Sequence, residues 1–407
     1  MVYNTPRTGY CPKGMIYMSR FVYADNAATT GVSPEVLAEM LPYFESEYGN
    51  PSSLYSIGRK NSLAIADARE RIAAVLGAKP NEIYFTSCGS ESDNWAIKGA
   101  AHANASKGKH IITTAYEHHA VIHTMDALKK EGFEITYLKP DEYGMITPGQ
   151  LEGAIRPDTI LIATMFANNE IGTVLPIKEF AKIAKEHKIL IFTDAVQAVG
   201  NIPVNVADLG VDMLSLSGHK IHAPKGIGVL YVRTGVRLAN LIDGGGQERG
   251  KRGGTENIAY IRGIAKALEL AVAGIDDMPR IAAMRDRLAK EITEKIPYSR
   301  INGTMDSRLP GNINISFEFI EGESLILLLD MAGICASTGS ACSSASLEPS
   351  HVLLSIGLPA EKAHGSLRLT LSHANTEEDV DYILEKLPPI VARLREMSPL
   401  YDQVTKA

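Results

Sequence analysis

The chain has 407 residues, of which 45% are hydrophobic and 22% charged, with a formal net charge of −6. That length leaves room for two domains with cores of their own, and the slight acidity gives no reason to expect nucleic acid or an anionic membrane as a partner. No apolar run is long enough to span a bilayer, no signal-peptide core is seen, and four cysteines without CxxC spacing cannot staple a scaffold, so a reducing, cytoplasmic compartment is expected.

Residues 1–17 have little periodicity and read as a peripheral N-terminal extension. From there, apolar runs alternate with helical patterns. Ile83–Thr86 reads as a strand and 91–105 as a helix, His110–Thr114 as a strand and 119–131 as a helix. A strand over 160–166 and a helix over 177–187 follow, then strands over 189–193, 213–216 and 228–232. This repetition predicts an α/β fold with a mainly parallel sheet covered on both faces. After the glycine-rich 243–254 the pattern changes. A long helical region, 257–295, is expected to break near Pro279, and shorter strands over 312–317 and 366–371 precede a final helix over 377–396. A smaller α+β domain is expected from 18–30 and 266–407, with 31–265 as the large domain.

The stretch Leu214-Ser-Leu-Ser-Gly-His-Lys220 ends an apolar strand in residues suited to holding a phosphate beside a reactive amine. A lysine that forms a Schiff base must lose its proton in a partly buried pocket; the alternative is a surface lysine after a turn. Asp194 ends another strand, where α/β sheets bind ligands, and a carboxylate there would keep a pyridine nitrogen protonated; it would equally serve as a helix cap. Gln197 lies one turn onward.

Thr86-Ser-Cys-Gly-Ser-Glu-Ser92 joins a strand to a helix, and its amides and hydroxyls suit a phosphate. Ser90 to Asp93 also has the form of a simple capping box. His118 suits stacking on a flat ring and proton transfer, or a structural role. It is adjacent to His119, and neighbours point in different directions, so no metal site is expected. Cys342 sits among small side chains, Ala336 to Ser346, where a thiol is either an accessible nucleophile or a small packing residue. Arg368, between apolar strand residues, is a salt-bridge partner or a carboxylate fork. Lysine, acid and thiol together point to pyridoxal phosphate acting on a sulfur-containing substrate.

These motifs together resemble the NifS/IscS-type (group I) cysteine desulfurases of aminotransferase class V, which are fold-type I pyridoxal-phosphate enzymes. The resemblance covers about 21–395 and includes Tyr23–Thr30, Gly49–Ser53, Asn168–Gly172, Ser217–Lys220, Glu248–Gly250 with Gly254–Thr255, and Gly339–Cys342. It implies a seven-stranded, mainly parallel sheet in the large domain and conversion of L-cysteine to L-alanine. Lys220 would hold pyridoxal 5'-phosphate and move the Cα proton, Asp194 would pair with the ring nitrogen, and His118 would stack on the ring. Asn169 and Gln197 would lie near the ring hydroxyl and substrate. Gly89, Ser90, Ser217 and His219 would bind the phosphate, joined by Thr255 from the partner subunit of a homodimer. Arg368 would bind the substrate carboxylate. Cys342 would take the sulfur as a persulfide for an acceptor protein, such as an iron–sulfur scaffold, or for tRNA thiolation. The phosphate loop departs from the common Gly-Ala-Thr by reading Cys88-Gly89-Ser90, with Cys88 read as packing. The rival readings are a selenocysteine lyase, another class V enzyme, or a non-catalytic scaffold.

Overall fold

A computed structural model describes residues 20–338 and 349–405. Twelve strands are found among them. β1 (Val22–Tyr23) precedes β2 (Ile83–Thr86), β3 (His110–Thr114), β4 (Glu134–Leu138), β5 (Thr159–Met165), β6 (Leu190–Asp194), β7 (Met213–Ser217) and β8 (Gly228–Val232). β9 (Ser299–Ile301), β10 (Asn312–Phe317), β11 (Ile334–Cys335) and β12 (Ser366–Thr370) follow.

Strands β2 to β8 form a seven-stranded sheet in the order β2-β8-β7-β6-β5-β3-β4. β8 is antiparallel to both its neighbours and the other pairings are parallel. Strands β3, β5, β7 and β8 are buried at every position, because helices cover both faces. One face carries Trp95, Ile111, Met125, Leu161, Phe192 and Leu230. The other carries Ile72, Ile112, Ile162, Phe180, Leu214 and Ile264. β12, β10 and β9 form a separate antiparallel sheet, and β1 pairs in parallel with β11. The apolar cluster here joins Val22 and Ala24 to residues 278–391.

β4 escaped the sequence reading. It is the sheet's edge, with Glu134 exposed and Ile135 to Tyr137 half-buried, so it lacks the continuous apolar run of the inner strands. The helical region after 257 divides into Ile258–Ala273 and Met278–Lys295. The break is at Gly274, and Pro279 sits in the first turn of the second helix, where a missing N–H leaves no bond unmade. The helix after β2 begins at Gly89, two residues early, with extended Cys88 as its N-cap. Ser90 therefore lies inside the first turn and caps nothing; Glu91 Oε2 accepts the Ser87 amide at 2.8 Å instead.

Candidate active site

The C-terminal ends of β6 and β7 and the segments after β2, β3 and β5 open onto one cavity of about 380 Å³. Lys220, Asp194, His118, Gly89, Ser90, Asn169, Gln197, Ser217, His219 and Arg368 all line it. Ten residues spread over 280 positions of sequence meet there because parallel strands bring their carboxyl ends to one side of the sheet. Thr255 is exposed and is not among the lining residues. Cys342 lies outside the described residues.

Lys220 ends the short turn Gly218–Lys220 after β7. Its Nζ donates to the carbonyl oxygens of Ala27 at 2.6 Å and Ala28 at 2.8 Å. Gln197 Nε2 donates to the same Ala27 oxygen at 3.0 Å. The strip 24–30 is in turn held by β12, since Ala27 N donates to Thr370 Oγ1 at 2.9 Å. The Lys220 amine is therefore fixed by a segment that precedes it by nearly two hundred residues.

Asp194, the last residue of β6, is buried and its Oδ1 accepts the Val196 amide at 2.9 Å. Burial pushes its pKa up, against the pull of that bond and of Lys220. Asp93, buried beside it, is pushed up by burial and by the Asp194 charge; Ser215 Oγ donates to its Oδ1 at 2.5 Å. Glu117 is raised to about 8, mainly by burial, although Thr114 Oγ1 at 2.7 Å and Met165 N at 2.9 Å donate to its Oε1. Its Oε2 is buried without a hydrogen bond. A cation facing Asp194 would offset the desolvation that raises it.

His118 caps the helix His119–Lys130, its Nδ1 accepting the Ala120 amide at 3.1 Å. That bond leaves the ring proton on Nε2. Burial, then Lys220 and the neighbouring imidazoles, lower its pKa to about 4, so the ring is neutral near pH 7. His219 is lowered to about 4 by burial and by Lys220, and its Nδ1 lies 3.1 Å from Thr29 Oγ1. Arg368 donates from Nη2 to Asp25 Oδ1 and from Nη1 to Asn169 O, both at 2.9 Å, while its Nε is buried without a partner.

The donor set suits a phosphorylated pyridine. The first-turn amides of a helix have no carbonyl within it, and Gly89 and Ser90, which begin one, line the cavity together with Ser217 and His219. A buried carboxylate, Asp194, provides for a ring nitrogen. No group of His, Cys, Asp and Glu able to hold a metal is found among the described residues.

Residues 22–383 match the model of the family described as aminotransferase class-V. The chain is 56% identical to a cysteine desulfurase IscS of Clostridium botulinum over 392 residues, 96% of this chain and 99% of the relative. The chain belongs to the class-V aminotransferase family, among its NifS/IscS-type cysteine desulfurases. A solved NifS-like protein superposes with a TM-score of 0.87 at 39% identity, covering 92% of this chain and all of that one. A structure titled SspA in complex with cysteine gives a TM-score of 0.77 at 40% identity, covering 86% and 98%. The fold is the fold-type I architecture, and the family's cofactor is pyridoxal 5'-phosphate.

Asp25, Asp93, Glu117 and Glu170 escaped the sequence reading. Asp25 and Glu170 lay within quoted motifs, Tyr23–Thr30 and Asn168–Gly172. Asp93 was read only as the acid of a capping box, and Glu117 only as a neighbour of His118; neither was expected to be a buried carboxyl beside the cavity. Cys88, read as packing, is the N-cap of its helix and lines the cavity.

Proposed function

We propose that this chain converts L-cysteine to L-alanine and passes the sulfur, as a persulfide on Cys342, to an acceptor protein such as an iron–sulfur scaffold. The observation that carries this reading is the convergence of an amine, a buried carboxylate, a neutral imidazole and a buried arginine on one cavity. The 56% identity to proteins named cysteine desulfurase supports the choice of substrate.

Pyridoxal 5'-phosphate, when bound, supplies the electron sink that weakens the Cα–H and Cβ–S bonds of the amino acid. Lys220 would hold the cofactor aldehyde and would carry the proton from the substrate Cα. Asp194 keeps the ring nitrogen protonated. His118, its proton on Nε2, stacks on the ring and gives or takes protons at the substrate. Arg368 orients the substrate carboxylate, while one donor on each terminal nitrogen is committed, to Asn169 O and to Asp25. Asn169 and Gln197 set the ring hydroxyl, and Gly89, Ser90, Ser217 and His219 the phosphate. The Cys342 thiolate attacks the substrate sulfur: an S–S bond forms, the Cβ–S bond breaks, and Cβ gains a proton on the way to alanine. Bringing that thiolate into reach contributes through effective molarity.

The proposed working unit is a cytoplasmic homodimer in which Thr255 completes the partner's phosphate site. Its exposure, away from its own chain's cavity, supports this. So do the exposed apolar side chains Leu37, Phe44, Tyr48, Leu54, Tyr55 and Leu63. The proposed division into 31–265 and 18–30 with 266–407 is supported by the cluster that joins Val22 and Ala24 to residues beyond 278. None of the described helices is long and apolar enough to cross a membrane.

The test is alanine and sulfide release from L-cysteine by the cofactor-loaded protein with a reductant, run beside Cys342→Ala. Equal amounts, lost in the variant, are expected. Turnover that survives the variant would favour a lyase or aminotransferase and remove the persulfide.

A further inference from the structure

Residues 243–254 include Gly244, Gly245, Gly246, Gly250, Gly253 and Gly254, a composition that would leave a loop conformationally free. The fold instead ties it down at successive points. The buried Glu248 carboxylate takes Arg69 through Nη1 at 2.8 Å and Nη2 at 2.7 Å, and also the Phe85 amide at 3.0 Å. Arg249 donates to Ile83 O at 2.9 Å and lies over the Tyr84 ring at 4.1 Å. Glu248 and Arg249 both have left-handed backbone angles, φ 44° and 60°. Two such non-glycine residues in succession persist only where the surroundings over-determine them. Arg252 then closes a two-pronged ion pair on Glu91, Nε to Oε1 at 2.8 Å and Nη2 to Oε2 at 3.1 Å.

Apart from the Arg69 pair, these ties land on the stretch 83–91, which is β2 and the turn that contains Gly89 and Ser90. The last of them joins Glu91, next to Ser90, to Arg252, three residues before the exposed Thr255. We propose that Arg252 is a positioning residue that acts in trans: by clamping the glycine-rich segment to Glu91, it aims Thr255 at the cofactor phosphate of the other subunit. This rests on the reading that Thr255 completes the partner's site. It adds that each subunit's own phosphate turn is the base from which that threonine is presented. The glycines permit the close approach, since a Cβ on Gly253 would lie 2.6 Å from Gly244 Cα. The ion pair supplies the rigidity that the glycines lack.

The test uses mixed dimers of two differently tagged full-length chains. One chain is unaltered. The other carries Lys220→Ala, so that it forms no imine, together with Arg252→Met. Binding of pyridoxal 5'-phosphate is followed by imine absorbance, which reports only the unaltered chain's site. Its dissociation constant is expected to rise about tenfold, the scale of one charge-assisted hydrogen bond, relative to a dimer with Lys220→Ala alone. Arg252→Lys should restore part of the loss and guards against a misfolded partner. A third dimer carries Lys220→Ala with Thr255→Ala. If Thr255→Ala weakens binding in the unaltered site and Arg252→Met does not, the role of Arg252 is overturned while that of Thr255 stands. If neither change reaches the unaltered site, the trans contribution of Thr255 fails and the proposal fails with it.

Discussion

Replacing Arg368 by lysine separates the charge of this side chain from its planar fork. The guanidinium is almost wholly enclosed, at 2% exposure, and two of its three nitrogens are committed, to Asp25 and to Asn169 O. The third, Nε, is buried with no partner, which leaves a donor for the substrate. Lysine keeps a positive charge near Asp25, so the fold is not left with an uncompensated buried carboxylate. It cannot hold Asp25, Asn169 and a substrate carboxylate in one plane. A hydrogen bond between charged groups contributes about 1.5–3 kcal/mol. The KM for L-cysteine should therefore rise roughly 10- to 150-fold, with a smaller change in kcat. The control is cysteamine, which keeps the amine and thiol and lacks the carboxylate. Its affinity, read from the spectral change of the bound cofactor, should be equal in wild type and Arg368→Lys. Steady-state sulfide release gives the other arm of this cycle. A KM for L-cysteine within twofold of wild type would refute the reasoning, and so would an equal loss for cysteamine.

Glu117→Gln should alter stability in a pH-dependent way. The folded carboxyl titrates at about 8 and the unfolded one at 4.5, so its contribution is complete below 4.5 and is lost as pH rises to 8. Glutamine removes that slope, so the stability of the variant relative to wild type should rise from pH 5 to 8 by up to about 5 kcal/mol, read as a growing melting-temperature difference; a difference equal at both ends would count against a buried proton. His118 has the opposite sign, since its folded pKa of about 4 lies below the ordinary 6.5. Its contribution is complete above 6.5 and falls away toward pH 4, so His118→Phe should flatten that acid limb of the melting curve while greatly slowing turnover. Gly228→Ala places a Cβ 2.6 Å from the Cys88 carbonyl carbon, backbone against backbone. The resulting shift of the phosphate turn should weaken cofactor binding about tenfold by equilibrium dialysis, and unchanged binding would show that the turn can give way. Lys220→Ala should abolish sulfide release, and substantial residual release would remove the lysine from its role.

Much of this molecule is written locally. The buried strands β3, β5, β7 and β8 announce themselves as apolar runs, because a strand covered on both faces has no polar side. The ends of the runs at β6 and β7 name Asp194 and Lys220, because residues at strand carboxyl ends are where such sheets hold ligands. β4 was missed for the complementary reason: an edge strand needs no continuous apolar face. The early start of the helix at Gly89 was also illegible, because Cys88 takes an extended conformation through its packing against Gly228 rather than through any capping side chain.

The chemistry of each side chain was therefore determined by the sequence, and its protonation state and company by the tertiary structure. Glu117 and Asp93 are ordinary acids by composition and are pushed up only because distant segments bury them. Arg368 is held as a fork with Nε unpartnered only because Asp25, from the other end of the chain, and Asn169 O fix its two terminal nitrogens. Lys220 is aimed by two carbonyls of residues 27 and 28. Desolvation and long-range hydrogen bonds depend on what is near in space, and no local pattern encodes that.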